Sequence, residues 1–448
     1  MTEKFKEYFK GKKVTVMGLG LLGRGIGDAT FIAEAGAAEV IVTDKKSVEE
    51  LEDSVALLEH FDNVKFVLGE HRLEDFENRD LVLVAAGVPL ESPYVAHAKL
   101  AGVQIAQSAA LFAELSGIPI IGITGTRGKS TVTHMIHHVL KETFEGDILL
   151  GGNVRGLSNL QLLKEVTEDS IAVMELDSWQ LQGFGWAKRS PNVAVFTTFM
   201  EDHMNYYKND MDAYFKDKAN IFLYQEESDV LVTTPEVFEW AKKLKAVTLG
   251  QEVVLVDGSV IPEDATLAMP GEHNRLNAAL AYEALKALGL SSEEIFSGLA
   301  SFPGVEGRLQ YLGEVSDIKI YNDNNATTPQ AVVMGLRAIG NSDDKNVILI
   351  AGGADKGIDT SPLIEEISKY CKKVVLLAGT GTDTIKAKIE CEVVGSMAEA
   401  VEAGFVAGEA GDVLILSPGF ASFGMYKNEY ERNDEFVGLI KNLQDKAE

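Results

Sequence analysis

The sequence predicts an α/β protein of three consecutive domains, each wound around a mainly parallel sheet. Short β-branched runs alternate with longer helical patterns along the whole chain. Glycine-rich turns directly follow three of those runs, after Val16, Ile123 and Ile350. The length, 448 residues, suits roughly three domains of about 150 residues.

The runs read as strands in chain order. VTVMG (14–18), VIVTD (40–44) and LVLVAAG (81–87) belong to the first domain, and IIGITG (120–125), IAVMEL (171–176) and VAVFTT (193–198) to the second. IKIYN (318–322), NVILIAGG (346–353), KVVLLAG (373–379) and DVLILSPG (412–419) belong to the third. Strands covered by helices on both faces are continuously apolar, as these are. The expected domains are 1–108, 109–303 and 304–448, with Phe302-Pro303-Gly304 as a hinge. The outer two have a Rossmann-like pattern, and the central one has the pattern of a P-loop ATPase.

Composition narrows the function. Hydrophobic residues make up 46% of the chain, enough for several cores. Lys and Arg number 41 against 68 Asp and Glu, a net charge of −27, which argues against a nucleic-acid surface. Two cysteines, Cys371 and Cys391, exclude a disulfide framework and fit a reducing compartment. The opening MTEKFKEYFKGKK has no apolar h-region, and no uncharged apolar run approaches the roughly 18 residues of a spanning helix. The expectation is a cytoplasmic protein with no membrane partner.

GITGTRGKST (122–131) follows a strand and precedes a helical run. Gly125, Thr126 and Gly128 let backbone N–H groups close around phosphate oxygens, Lys129 supplies a cation for the β/γ-phosphates, and Ser130 or Thr131 offers a hydroxyl to Mg²⁺. The glycine spacing is shorter than in the usual Walker loop. Earlier, GLGLLG places Gly18, Gly20 and Gly23 after a strand, with Asp44 closing the next strand. That pattern is a dinucleotide fingerprint, and alone it fits NAD and an NAD-dependent dehydrogenase with an added P-loop module.

Glu175 ends a predicted strand, where a carboxylate faces the ligand crevice and can hold Mg²⁺. Glu201, Asp202 and His203 follow another, and Lys216 and Lys218 lie in YFKDKANIF. Lysines so placed are most often solvated charges. His134, His137 and His138 share one helical stretch and read as surface or packing residues. His273, Asn274 and Asn277 lie near one face of a helix start, a pattern that also fits simple N-capping.

Together these motifs resemble the Mur ligase superfamily, which includes folylpolyglutamate-type ligases. TGTRGKST is similar to its ATP loop, with Arg127 where Asn is usual, and the resemblance runs along nearly the whole chain. It implies an ATP-dependent, ADP-forming acid–amino-acid ligase. By that resemblance two Mg²⁺ ions are expected, with Ser130, Glu175, His203 and Lys218 as ligands, the lysine as its carbamate. Asn274, Asn277, Arg308 and Asp323 would bind ATP.

The order GLGLLG, TGTRGKST, EDHM, HNRLN and SPGFASFGMYKNEY most resembles the glutamate-adding, MurD-type branch. There the first glycine loop holds the diphosphate of a UDP-sugar rather than NAD. Gly18, Gly20, Leu21, Leu22, Gly23, Asp44, Gly87 and Asn153 are its matched positions. Lys356, Thr327, Ser422 and Phe423 match acceptor-binding positions. The resemblance implies a monomer that joins glutamate, D-glutamate first, to UDP-N-acetylmuramoyl-L-alanine in peptidoglycan precursor synthesis. L-glutamate or another acceptor is the alternative, because two positions depart from the pattern: Asn325 stands where the family has an acceptor-binding lysine, and Glu429 stands where it has an aromatic residue.

Overall fold

A computed structural model of the chain describes residues 2–19, 23–89, 91–154, 156–246, 252–263, 265, 267 and 269–447. Gly20, Leu21 and Leu22 of the first glycine loop lie outside the described residues.

Three sheets follow one another along the chain. The first contains β1 (Lys13–Met17), β2 (Glu39–Asp44), β3 (Val64–Leu68), β4 (Leu81–Val84) and β5 (Gln104–Ala106), in the order β3-β2-β1-β4-β5. The second contains β6 (Ile120–Thr124), β7 (Ile148–Gly152), β8 (Ile171–Glu175), β9 (Val193–Phe196), β10 (Val230–Thr233) and β11 (Glu252–Leu255), ordered β11-β10-β9-β6-β8-β7. The third contains β12 (Gln310–Val315), β13 (Ile318–Asn322), β14 (Val347–Gly352), β15 (Cys371–Leu377), β16 (Glu392–Val394) and β17 (Val413–Leu416), ordered β12-β13-β17-β14-β15-β16. All pairs are parallel except β12 with β13, a tight antiparallel hairpin.

The ten predicted strands are all present, and the structure adds seven among the described residues. Six of the seven are the sheet edges β3, β5, β7, β11, β12 and β16. An edge strand is short or polar because one side faces water, so it lacks the apolar run that marks an inner strand. The seventh, β10 (VLVT), is short and lies next to an edge.

By contacts the chain forms two compact units. One comprises residues 1–262 and 276–299 and holds the first two sheets; the other comprises 263–275 and 300–448 and holds the third. In the first unit, one apolar cluster joins residues of both sheets, among them Phe9, Phe31, Phe112, Phe184 and Phe196. In the second, separate apolar clusters cover the two faces of the sheet. No helix among the described residues is long and apolar enough to cross a membrane.

Candidate active site

The phosphate loop leaves the end of β6, at the centre of the second sheet, and enters the helix Lys129–Thr143. Two glycines shape it. Gly125 has φ +144°, and a Cβ there would lie 2.0 Å from Thr197 Oγ1. Gly128 caps the helix at φ +87°, and its Cβ would lie 2.4 Å from Asn277 Oδ1. No side chain fits either position, and both conformations are left-handed. The segment after β9 buttresses the loop. Thr126 N donates to Thr198 O at 2.8 Å, Arg127 N to Thr198 Oγ1 at 2.9 Å, and Met200 N to Thr126 Oγ1 at 3.1 Å.

Two lysines converge on this loop. Lys129 Nζ donates to Gly125 O at 3.0 Å and to Thr126 O at 3.2 Å. Lys218, on the helix Met211–Ala219, donates to Gly125 O at 2.8 Å and is only 2% exposed. Burial, then the nearby Lys129 charge, push the Lys218 ammonium well below the usual lysine range, against Asp177, Asp202 and Glu175. Burial thus works against the charged form.

Glu175 is the buried last residue of β8, next to β6 in the sheet. His203 is half-buried, with a left-handed backbone at φ +54°, a costly conformation for a residue with a side chain. Its ring lies 4.6 Å from that of Trp179, and burial holds its pKa below the ordinary histidine value. Asp177 is committed elsewhere: with Gln180 it forms a capping box that starts the helix Ser178–Ala187. Among the described residues no three His, Cys, Asp or Glu side chains are grouped to hold a metal. The triple-histidine helix forms no such group either.

The first glycine loop leaves β1 at Gly18, whose φ is +93° and whose Cβ would lie 2.8 Å from Ala85 Cβ. Asp44 Oδ2 accepts from Leu19 N at 2.8 Å and Oδ1 from Lys46 N at 3.0 Å, so this carboxylate buckles the loop onto β2. Gly23 caps the helix Arg24–Glu34.

That helix is stitched to the middle sheet's loops, a connection that sequence reading missed. Arg24 Nη1 donates to Asn153 Oδ1 at 2.7 Å, Ser158 Oγ to Asp28 Oδ1 at 2.7 Å, and Gln161 Nε2 to Gly27 O at 2.9 Å. The buried Asp28 also accepts from Leu160 N at 3.2 Å, and burial raises its pKa. Asn153 N in turn donates to Glu175 O at 2.6 Å. Gly87 faces Trp179, with its Cβ position 3.8 Å from the indole, and the buried Trp179 Nε1 has no hydrogen-bond partner. A charged residue directly after a glycine loop was the one available signal for Arg24.

Asn277 lies on the helix Glu272–Ala287, where Asn274 Nδ2 donates to Pro270 O at 2.8 Å. In the second unit, Asp323 is buried. It accepts from Leu309 N at 3.1 Å and from Ser417 Oγ at 2.8 Å, and burial pushes its carboxyl up to about 7. Arg308, beside Leu309, is one of the charges that oppose that shift.

The acceptor candidates fall on neighbouring loops. Lys356 Nζ donates to Thr327 Oγ1 at 3.0 Å, and an isolated bridge pairs Ala354 with Ala421, next to the buried Ser422 and the exposed Phe423. Asn325 N donates to Gly307 O at 2.9 Å, and Glu429 O accepts from Asn324 Nδ2 at 2.9 Å. Beneath them Arg432, 1% exposed, donates to Asn324 Oδ1 at 2.7 Å and Asn324 O at 3.0 Å. Arg432 was not a sequence candidate, because nothing local marks it as buried.

A phosphate loop at a central parallel strand, ringed by a carboxylate, an imidazole and two lysines, defines an enzyme that uses a nucleoside triphosphate. The Mur ligase middle domain family matches residues 123–285, the Mur ligase glutamate ligase domain residues 307–420, and the Mur ligase MurD-like N-terminal domain residues 12–107. The chain is 34% identical to a UDP-N-acetylmuramoylalanine–D-glutamate ligase of Roseiflexus sp., over 97% of this chain and 99% of that relative. It is 33% identical to the enzyme of the same name from Streptococcus mutans, over 97% and 98%. In fold it is similar to a MurF ligase from Thermotoga maritima solved with ADP (TM-score 0.61, 16% identity, 99% and 97% covered) and to a MurC ligase from the same organism (TM-score 0.59, 18% identity, 96% and 99% covered). The chain belongs to the Mur ligase family.

Proposed function

We propose that this ligase joins D-glutamate to UDP-N-acetylmuramoyl-L-alanine at the expense of ATP, in peptidoglycan precursor synthesis. The observation that carries the reading is the convergence of Lys129 and Lys218 on Gly125 O at the head of the phosphate loop, beside Glu175 and His203. The curated relatives bear the name of this reaction over almost their full length.

In this reading the substrate's terminal carboxylate attacks the γ-phosphorus of ATP, the bond to the β-phosphate oxygen breaks, and ADP leaves. The acceptor amine then attacks the acyl-phosphate carbonyl, inorganic phosphate leaves, and the amine's proton is released. Positioning and charge neutralisation dominate the rate of such transfers. Lys129 offsets charge on the transferred phosphoryl group. Gly125, Thr126, Gly128, Ser130 and Thr131 cradle the phosphates, and Asn274, Asn277, Arg308 and Asp323 hold the rest of the nucleotide.

The donor set fits magnesium only in part as it stands. Glu175 and His203 provide one carboxylate and one imidazole, and Ser130 adds a hydroxyl. A carbamate formed on the amine of Lys218 by CO₂, with loss of one proton, would supply the missing oxygen ligand, and a buried lysine whose charged form is disfavoured suits that reaction. Magnesium, when bound, neutralises phosphate charge.

The first domain (1–108) is read as holding the UDP-sugar through Gly18, Gly23, Asp44 and Gly87, joined by Asn153 of the second; the second (109–303) is read as holding ATP, and the third (304–448) the acceptor through Thr327, Lys356, Ser422 and Phe423. The enzyme is read as a cytoplasmic monomer with no nucleic-acid or membrane partner. The test is phosphate release with ATP, UDP-N-acetylmuramoyl-L-alanine and a panel of L- and D-amino acids. D-glutamate should give the highest kcat/KM. Preference for L-glutamate would move the reading to the other stereoisomer, and silence with every acceptor would sink it.

A further inference from the structure

We propose that Arg24 is a further substrate-binding residue, which grips the diphosphate of the nucleotide-linked substrate while it orients Asn153 of the middle domain. The inference rests on the functional reading above and deepens it.

Arg24 opens the helix that follows the first glycine loop. It lines a cavity of about 220 Å³ together with Gly18, Leu19, Gly25 and Asp28. Among the described residues lining this cavity Arg24 is the one cation. The one acid, Asp28, already accepts from Ser158 and Leu160. A chain of net charge −27 repels an anionic ligand at long range, so a diphosphate needs a local positive group. The helix N-terminus adds partial charge of the right sign but no formal charge.

The guanidinium is held from the other domain. Nε donates to Val154 O at 3.3 Å and Nη1 to Asn153 Oδ1 at 2.7 Å. Five N–H donors in a rigid fork let an arginine keep those two bonds and still present three to phosphate oxygens, where a lysine ammonium would have one left. The same bond decides which end of the Asn153 amide is offered. With Oδ1 engaged by Arg24, the Nδ2 hydrogens are the donors left for a ligand oxygen. Arg24 thus makes one anion site from two sheets.

The test compares binding of UDP and of uridine, which lacks the phosphates, to wild-type protein, Arg24→Gln and Arg24→Lys by calorimetry. Arg24→Gln should weaken UDP about 10- to 100-fold and leave uridine within about twofold. Arg24→Lys, which keeps the charge and loses the fork, should weaken UDP by about 3- to 10-fold. KM for UDP-N-acetylmuramoyl-L-alanine should rise in step, with KM for ATP unchanged. Unaltered UDP affinity, or equal losses for UDP and uridine, overturns the role of Arg24. If Arg24→Gln does not fold, the same comparison in Arg24→Lys decides. Failure of the wild type to bind UDP would count against the functional reading itself, whereas wild-type binding undiminished in the variants sinks only this inference.

Discussion

The Nζ atoms of Lys129 and Lys218 both donate to the carbonyl oxygen of Gly125, at 3.0 and 2.8 Å. Two like charges on one acceptor repel, and burial penalises them further. The pair is tenable because Lys218 is pushed toward its neutral form while Lys129, at the helix start, stays half-buried. This asymmetry separates the roles proposed for them, one as a phosphate cation and one as an amine open to CO₂.

Lys129→Ala removes the phosphate cation and relieves that repulsion. ATP turnover should fall by about 10²- to 10⁴-fold, with thermal stability unchanged or slightly raised. Steady-state phosphate release and a melting curve check both parts; wild-type turnover contradicts the role.

Lys218→Met replaces a buried amine by an apolar side chain of similar length. Stability should hold or rise slightly, because the variant no longer buries an amine whose charged form is disfavoured there. Activity should nevertheless be lost. In Lys218→Ala the space left by the side chain should let small carboxylic acids in solution restore part of it. A Lys218→Ala enzyme with full activity and no response to added acid argues against the carbamate.

Gly125→Ala should cost both stability and function. Its Cβ would fall 2.0 Å from Thr197 Oγ1 and 2.9 Å from Thr198 N, at a φ of +144°. A loss of about 2–4 kcal/mol is expected, together with ATP affinity reduced more than about tenfold. Denaturant titration and nucleotide binding measure the two. A stable variant that binds ATP normally would mean the loop has another conformation.

Asp323 makes the stability of the second unit depend on pH. Burial raises its folded pKa to about 7 from the ordinary 3.8, so between those values the folded state holds a proton that the unfolded state has released. The associated stability is complete below about pH 4 and is lost as pH rises to about 7, at about 1.4 kcal/mol per pH unit. Asp323→Asn keeps one acceptor and removes the titration. The variant should gain on the wild type steadily between pH 4 and 7 in denaturation midpoints, and parallel pH profiles would refute the assignment.

Residues close in sequence wrote most of the fold and the centre of the site. Ten of the eleven inner strands were legible because a strand buried on both faces is mostly apolar, and a phosphate loop was legible because its glycines, Lys129 and Ser130 stand side by side. The placement of Glu175 at the end of one strand and His203 beyond the end of another followed from the same local pattern. Tertiary structure alone decided what lies across the chain. It brought Asn277 against Gly128, set Arg24 on Asn153 and Asp28 on Ser158 across 129 and 130 residues, and buried Arg432 under Asn324. It also turned Asp44 and Asp323 toward backbone N–H groups. A local pattern records whether a residue is buried and in which element. The partner of a buried polar group is set only when distant segments pack, since any donor of suitable geometry would satisfy it.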